Sequence, residues 1–198
     1  MSEITIHACV TRVTLFQGNY PSMRHCAEAA VRAGISLAGA DFLNADLSNA
    51  SLDGANLRGA NLNDCIMHGI NLSEADLSGA SAMGADLTAA CLCDARLACV
   101  NFADATFGGT LITGARIEAC VFSCPTFLTL PFTEARLGHN VYMHDNCQPM
   151  NFSVAPVVIT GLPKRLAFFD TQALIGHRIV PCLERPVQQF QDFCAKYG

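Results

Sequence analysis

The sequence predicts an all-β solenoid with a small cap at each end, and three observations carry that prediction. From Ile35 onward every fifth residue is small or β-branched, and two positions after each stands a large apolar side chain, Ala82 being the exception. Eighteen such pentapeptides run to Cys124 without an insertion. A period of five matches neither the 3.6-residue turn of a helix nor the two-residue alternation of a strand. The chain must therefore turn a corner every five residues, and four sides close a square coil of twenty. The composition agrees: hydrophobic residues reach 51%, but much of this is repeat alanine, aromatics are 8% and tryptophan is absent. Such an interior consists of thin stacked layers in which each unit buries its neighbours.

Residues 1–34 form a leader. ITIHACVTRVTLF alternates enough for one or two strands, and SMRHCAEAAVRAG reads as a helix. Ser22 is placed to cap its first turn and Gly34 to close it in a left-handed conformation, while Cys26, Ala30 and Val31 share one face. That face would lie over the first coil.

Residues 35–124 are the repeats. The central positions Leu37, Phe42, Leu47, Leu52, Leu57, Leu62, Met67, Leu72, Leu77, Leu87, Leu92, Leu97, Phe102, Phe107, Ile112, Ile117 and Phe122 are the expected core. Burying one such leucine contributes about 1.5–3 kcal/mol. Ala82 is too small for its place, with Met83 pointing outward, so a local loosening is expected there. At a strand-like spacing of about 4.8 Å per coil the section makes a rod of about 22 Å.

Residues 125–198 form the tail. FSVAPVVITGLP, KRLAFFD and ALIGHRIVP read as short strands and ERPVQQFQDFCAK as a closing helix, together a small α+β cap and interaction module. An open solenoid end exposes unpaired strand groups and invites end-to-end polymerisation, so a cap is needed. Phe168 and Phe169 belong to its core or to a dimer seam. Capped solenoids often pair through one end, and a homodimer through an end cap is the assembly the sequence allows.

The units ADLSN, ASLDG, ANLRG, ANLND, ADLSG and ADLTA are similar to the A(D/N)LXX consensus of the pentapeptide repeat family. The resemblance spans residues 35–124 and implies a right-handed quadrilateral β-helix of about four and a half turns. It also implies a binding role, because some members mimic duplex DNA and occupy or protect type II topoisomerases, including in quinolone resistance. Residues 166–193, around LIGH, resemble extensions on members from phage and prophage genomes. That implies an alternative: a structural or host-interaction element that docks a protein through its C-terminal module.

Charge is the first functional signal. Residues 35–124 carry ten acidic and three basic side chains, while the flanks together are positive by two. A negative rod repels nucleic acid and attracts a basic groove that otherwise holds DNA. Positions twenty apart share a side, which groups Asp41, Asp64 and Asp104; Asp53, Glu74 and Asp94; and Asp46 with Asp86 as the candidate partner surface. The fourth side stacks Asp76 below Arg96 and Arg116, with Arg58 nearby, and breaks the acidic surface. The outward loops that several topoisomerase-protecting members carry between coils are absent from the repeats. Asp41, Asp46, Asn56, Asn61, Asn71, Asp76, Asp86 and Asn101 also have a local use, since such side chains satisfy backbone groups at corners.

Other chemistries find little support. HNVYMHDNC offers His139, His144 and Cys147, and Cys91 with Cys93 face outward beside Cys99 or Cys124, but neither set has a recognised zinc spacing. No nucleophile elbow, phosphate loop or His-Glu-His motif occurs, so no enzyme, catalytic residue, metal or cofactor is expected. The eleven cysteines are odd in number and accompany no signal peptide. Reduced thiols and a cytoplasmic location are the expectation, with Cys65 and Cys120 as small packing residues. Lys164 and Arg165 are too few for a nucleic-acid patch. The expected partner is a protein, with no direct nucleic acid and no membrane.

Overall fold

The computed structural model describes residues 2–143, 149–159, 166–176 and 178–182. Strands β1 (Ser2–His7) and β2 (Thr14–Tyr20) pair antiparallel, and helix α1 (Met23–Arg32) follows. Cys26, Ala27 and Ala30 are its buried residues. Gly34 ends the turn at φ +70°. Ser22 stands at the N-cap but makes no capping bond; its hydroxyl lies 2.8 Å from His25 Nδ1 instead. The helix meets the repeats through polar contacts. Glu28 Oε1 accepts the Ser51 N–H at 3.1 Å, and the Arg24 guanidinium donates to Ser48 O at 3.2 Å. Asp41 N–H donates to His7 O at 2.8 Å. These bonds occupy edge groups of the first coil that have no earlier coil to pair with.

The repeats form a β-helix in which residue i lies parallel to residue i+20, as in Asp41↔Asn61, Ser51↔Asn71 and Cys91↔Leu111. One unit shows how the backbone is satisfied. Leu52 N–H donates to Asn71 O at 2.9 Å, Gly54 N–H to Ser73 O at 2.8 Å, and Asn71 N–H back to Ala50 O at 2.8 Å. Ala55 N–H closes the corner on Leu52 O at 3.1 Å. Every fifth residue from Gly39 to Ala119 is left-handed, with φ between +53° and +73°. This is the physical reason the fifth place so often holds glycine, asparagine or aspartate.

The large central residues of the repeats, from Leu37 to Phe122, are all buried, none more than 4% exposed. At the small-residue positions of the first coil burial is incomplete: Ile35 is 39% exposed and Ala45 is partly buried. No loosening is found at Ala82. It is fully buried, its N–H donates to Asn101 O at 2.8 Å, and Met83 is exposed. Backbone bonds set the coil spacing there, and they do not depend on side-chain size.

Strands β3 (Arg96–Ala98) and β5 (Arg116–Glu118) pair in parallel, as do β4 (Asn101–Phe102) and β6 (Val121–Phe122). The register does not stop at Cys124, where the sequence repeat was expected to end. Two 3-10 turns at Pro125–Thr129 and Phe132–Glu134 lead to β7 (Arg136–Leu137), paired with β5, and β8 (Asn140–Tyr142), paired with β6. Phe127, Phe132 and Tyr142 continue the buried centres, and Phe122, Phe127 and Tyr142 stack at centroid distances of 5.1 and 4.7 Å.

The parallel stack then changes direction. Strand β9 (Met150–Phe152) runs antiparallel to β8. Beyond it β10 (Val157–Ile159), β11 (Leu166–Phe168), β12 (Gln172–Ile175) and β13 (Arg178–Pro181) form an antiparallel sheet in that order. Phe169 is buried against Tyr142, 5.8 Å between centroids, and Ser153 N–H and Oγ both donate to Asp170 Oδ2. The expected closing helix over 184–196 lies outside the described residues, as do His144, Cys147, Lys164 and Arg165.

Candidate interaction surface

The acidic residues divide into two groups by what their side chains already do. After the bonds within and between coils, one N–H per pentapeptide remains, two residues beyond the first outward position. In eight pentapeptides an Asp or Asn side chain at that outward position takes it. Ser48 N–H donates to Asp46 Oδ1 at 2.9 Å, Ser73 to Asn71 at 3.0 Å, Ser78 to Asp76 at 2.9 Å, and Thr88 to Asp86 at 2.9 Å. Asp41, Asn56, Asn61 and Asn101 do the same at 3.1–3.4 Å. Asn61 Nδ2 also donates to Asp41 Oδ1 at 3.0 Å, linking successive coils. These carboxylates are part of the backbone's own hydrogen bonding.

Their protonation follows. The Ser48 hydroxyl and N–H hold Asp46 below its ordinary value, and the Thr88 hydroxyl does so for Asp86 against its partial burial. Partial burial pushes Asp76 upward, but the Ser78 hydroxyl and N–H and the Arg58 guanidinium at 3.1 Å outweigh it, so its value is also lowered. Asp41 is held by Arg12 at 2.6 Å.

The second group stands clear of the backbone. Asp64, Glu74, Asp94 and Asp104 occupy left-handed corners, with Asp53 one residue before another, and all five are exposed. None forms an ion pair among the described residues. Ser123 Oγ donates to Asp104 Oδ1 at 2.9 Å. Asp64 and Asp94 lie over the corners of Gly84 and Gly114, where a Cβ would collide with their carboxylates. The eight sequence-predicted acids thus do not act alike: Asp41, Asp46 and Asp86 are engaged, and Asp53, Asp64, Glu74, Asp94 and Asp104 are available.

The side that interrupts the acidic surface is longer than the sequence reading showed. Arg96, Arg116 and Arg136 are in direct register across β3, β5 and β7, and all three are exposed. Arg136 was missed because it falls after the last clear pentapeptide. Its signal was the five-residue spacing of Phe127, Phe132, Leu137 and Tyr142. Two shallow depressions flank this column, one of about 430 Å³ at Arg58, Ser78 and Arg96, the other of about 280 Å³ at Arg116, Glu118 and Arg136.

Among the described residues no three His, Cys, Asp or Glu side chains converge on a metal position. Cys65 and Cys120 are buried and donate to Phe42 O and Leu97 O at 2.8 and 2.9 Å, and burial pushes both thiols up to about 12. Cys91 and Cys93 are half-buried, with Ser73 Oγ 3.1 Å from the Cys91 sulfur. No described helix is long and apolar enough to cross a membrane.

The family model for pentapeptide repeats matches residues 33–69 and 67–98. Solved structures similar to the chain include HetL, a pentapeptide repeat protein involved in heterocyst differentiation regulation in the cyanobacterium Nostoc sp. strain PCC 7120. It is 24% identical over 50% of this chain and 48% of HetL, with a TM-score of 0.43. The chain thus spans about half the length of that protein. A second Nostoc pentapeptide repeat protein, alr5209, is 25% identical over 62% of this chain and 85% of its own, with a TM-score of 0.33. One from the Arabidopsis thaliana thylakoid lumen is 33% identical over 42% and 61%, with a TM-score of 0.21. No curated protein matches the chain.

Proposed function

Because the repeats of this chain belong to the pentapeptide repeat family, we propose that it is a non-enzymatic binding module whose stacked coils form a right-handed quadrilateral β-helix. Its acidic corners engage a basic groove on a DNA-binding protein, a type II topoisomerase being the partner class the family suggests. The observation that carries this reading is the set of exposed carboxylates at Asp53, Asp64, Glu74, Asp94 and Asp104, none of them in an ion pair among the described residues. They project from a frame whose corners are fixed by coil-to-coil bonds, so little side-chain or backbone ordering opposes binding. Carboxylates at fixed spacing on a stiff rod present a potential like that of a duplex to a cationic cleft.

A gyrase supercoiling assay with and without a quinolone tests the reading. Wild-type protein at micromolar concentration is expected to alter supercoiling or its inhibition. The variant Asp64→Asn/Glu74→Gln/Asp94→Asn/Asp104→Asn is expected to lose most of that effect while keeping its fold. Absence of any effect from wild type, or an undiminished effect from the variant, counts against it.

A further inference from the structure

The column Arg96, Arg116 and Arg136 places three guanidinium side chains on consecutive parallel strands, in direct register and exposed. Like charges directly opposite one another on neighbouring strands destabilise a sheet. The neighbouring column member Asp76 is committed to Arg58, and Glu134 accepts the Thr113 hydroxyl at 2.6 Å. None of the three arginines has an ion pair or side-chain hydrogen bond among the described residues, although Glu118 lies in the same depression as Arg116 and Arg136. The fold therefore sets three like charges in a row, none of them held in an ion pair among the described residues, on a chain whose repeats are acidic on balance.

From this arrangement we propose that the column is a docking surface for an acidic polypeptide, one that presents carboxylates about one helical turn apart. Strand spacing sets the arginines about 4.8 Å apart along the rod. A helix laid along the axis repeats every 5.4 Å, close enough for one carboxylate per guanidinium over three coils. An extended strand repeats its same-face side chains at about 6.6 Å and falls out of step. Guanidinium forks suit carboxylates because they bind them bidentately.

Other occupants fit less well. A second copy meeting this column across a two-fold axis would set arginine against arginine. Along the axis the column continues from Arg96 to Asp76, so a duplex or long polyanion would run onto a carboxylate there, whereas a short helix ends on the arginines.

Fluorescence anisotropy of the full chain with a labelled helical peptide bearing glutamates at alternating three- and four-residue intervals, about 5.3 Å apart on average, tests the proposal. Saturable binding at low salt is expected, weakened at least tenfold by Arg96→Gln/Arg116→Gln/Arg136→Gln and unchanged by Asp53→Asn, with circular dichroism unaltered in both. The glutamine analogue of the peptide is expected not to bind. No binding of the glutamate peptide, equal binding by the triple variant, or tighter binding of tripolyphosphate or a single-stranded oligonucleotide would overturn it.

Discussion

At the scale of the single residue, the repeat is governed by two positions that do not touch the core. Where it is Asp or Asn, the first outward side chain accepts a backbone N–H left over by the coil-to-coil bonds. Asn71→Ala or Asp86→Ala should therefore cost about 1–2 kcal/mol, whereas Asp53→Ala should change stability by less than about 0.5 kcal/mol. Urea unfolding of the three variants distinguishes them. The fifth position requires a left-handed backbone, yet it holds alanine at Ala89 and Ala119. Replacing either by glycine removes a strain of about 1–2 kcal/mol and should raise stability despite the added chain entropy. The lowered carboxyls of Asp46, Asp76 and Asp86 bind protons more weakly folded than unfolded. Their contribution is complete at neutral pH and is lost as pH falls below about 4, through the folded values. Asp86→Asn should flatten that acid limb in a pH series of thermal melts. Cysteine accessibility follows the same local logic. Under native conditions alkylation followed by mass spectrometry should label the exposed Cys99 and spare Cys65 and Cys120, whose thiols are buried and raised.

At the scale of the element, the last parallel coil is closed by one side chain. Asn140 is fully buried; its Oδ1 accepts the Cys120 N–H at 3.0 Å and its Nδ2 donates to Ile117 O and Gly138 O at 3.0 and 3.1 Å. Asn140→Ala leaves the buried Cys120 N–H without its acceptor, while Ile117 O keeps the Gly138 N–H at 2.9 Å, and should cost about 1–3 kcal/mol, measurable by equilibrium unfolding. The five-residue spacing in the sequence pointed to coils, buried central residues and the local use of the eight Asp and Asn side chains, because each depends only on neighbours at fixed offsets. It did not reveal the coil after Cys124. There Pro125 and Pro131 and aromatic centres obscure the consensus, and the 3-10 turns replace regular corners while keeping the twenty-residue register. The same offsets separate Asp46, just before its central leucine, from Asp64 at the fifth place, but both were grouped in one candidate surface because only the hydrogen bonds show that Asp46 is already engaged. The Ser22 hydroxyl likewise had two partners within reach, and His25 rather than the helix N-terminus has it.

At the scale of the whole molecule, stacking twenty-residue coils turns a short linear pattern into long surface columns. Each column is uniform only as far as the sequence keeps its residue at that offset. The acidic corners and the arginine column are therefore separate surfaces on one rod, and changes to one should leave the other's binding intact. Both depend on residue i lying beside residue i+20. Solution NMR tests that directly: nuclear Overhauser contacts between backbone protons of residues nineteen to twenty-one apart should run unbroken from Leu37 to Tyr142. Contacts confined to residues three and four apart, or a ladder that stops at Cys124, would contradict the account.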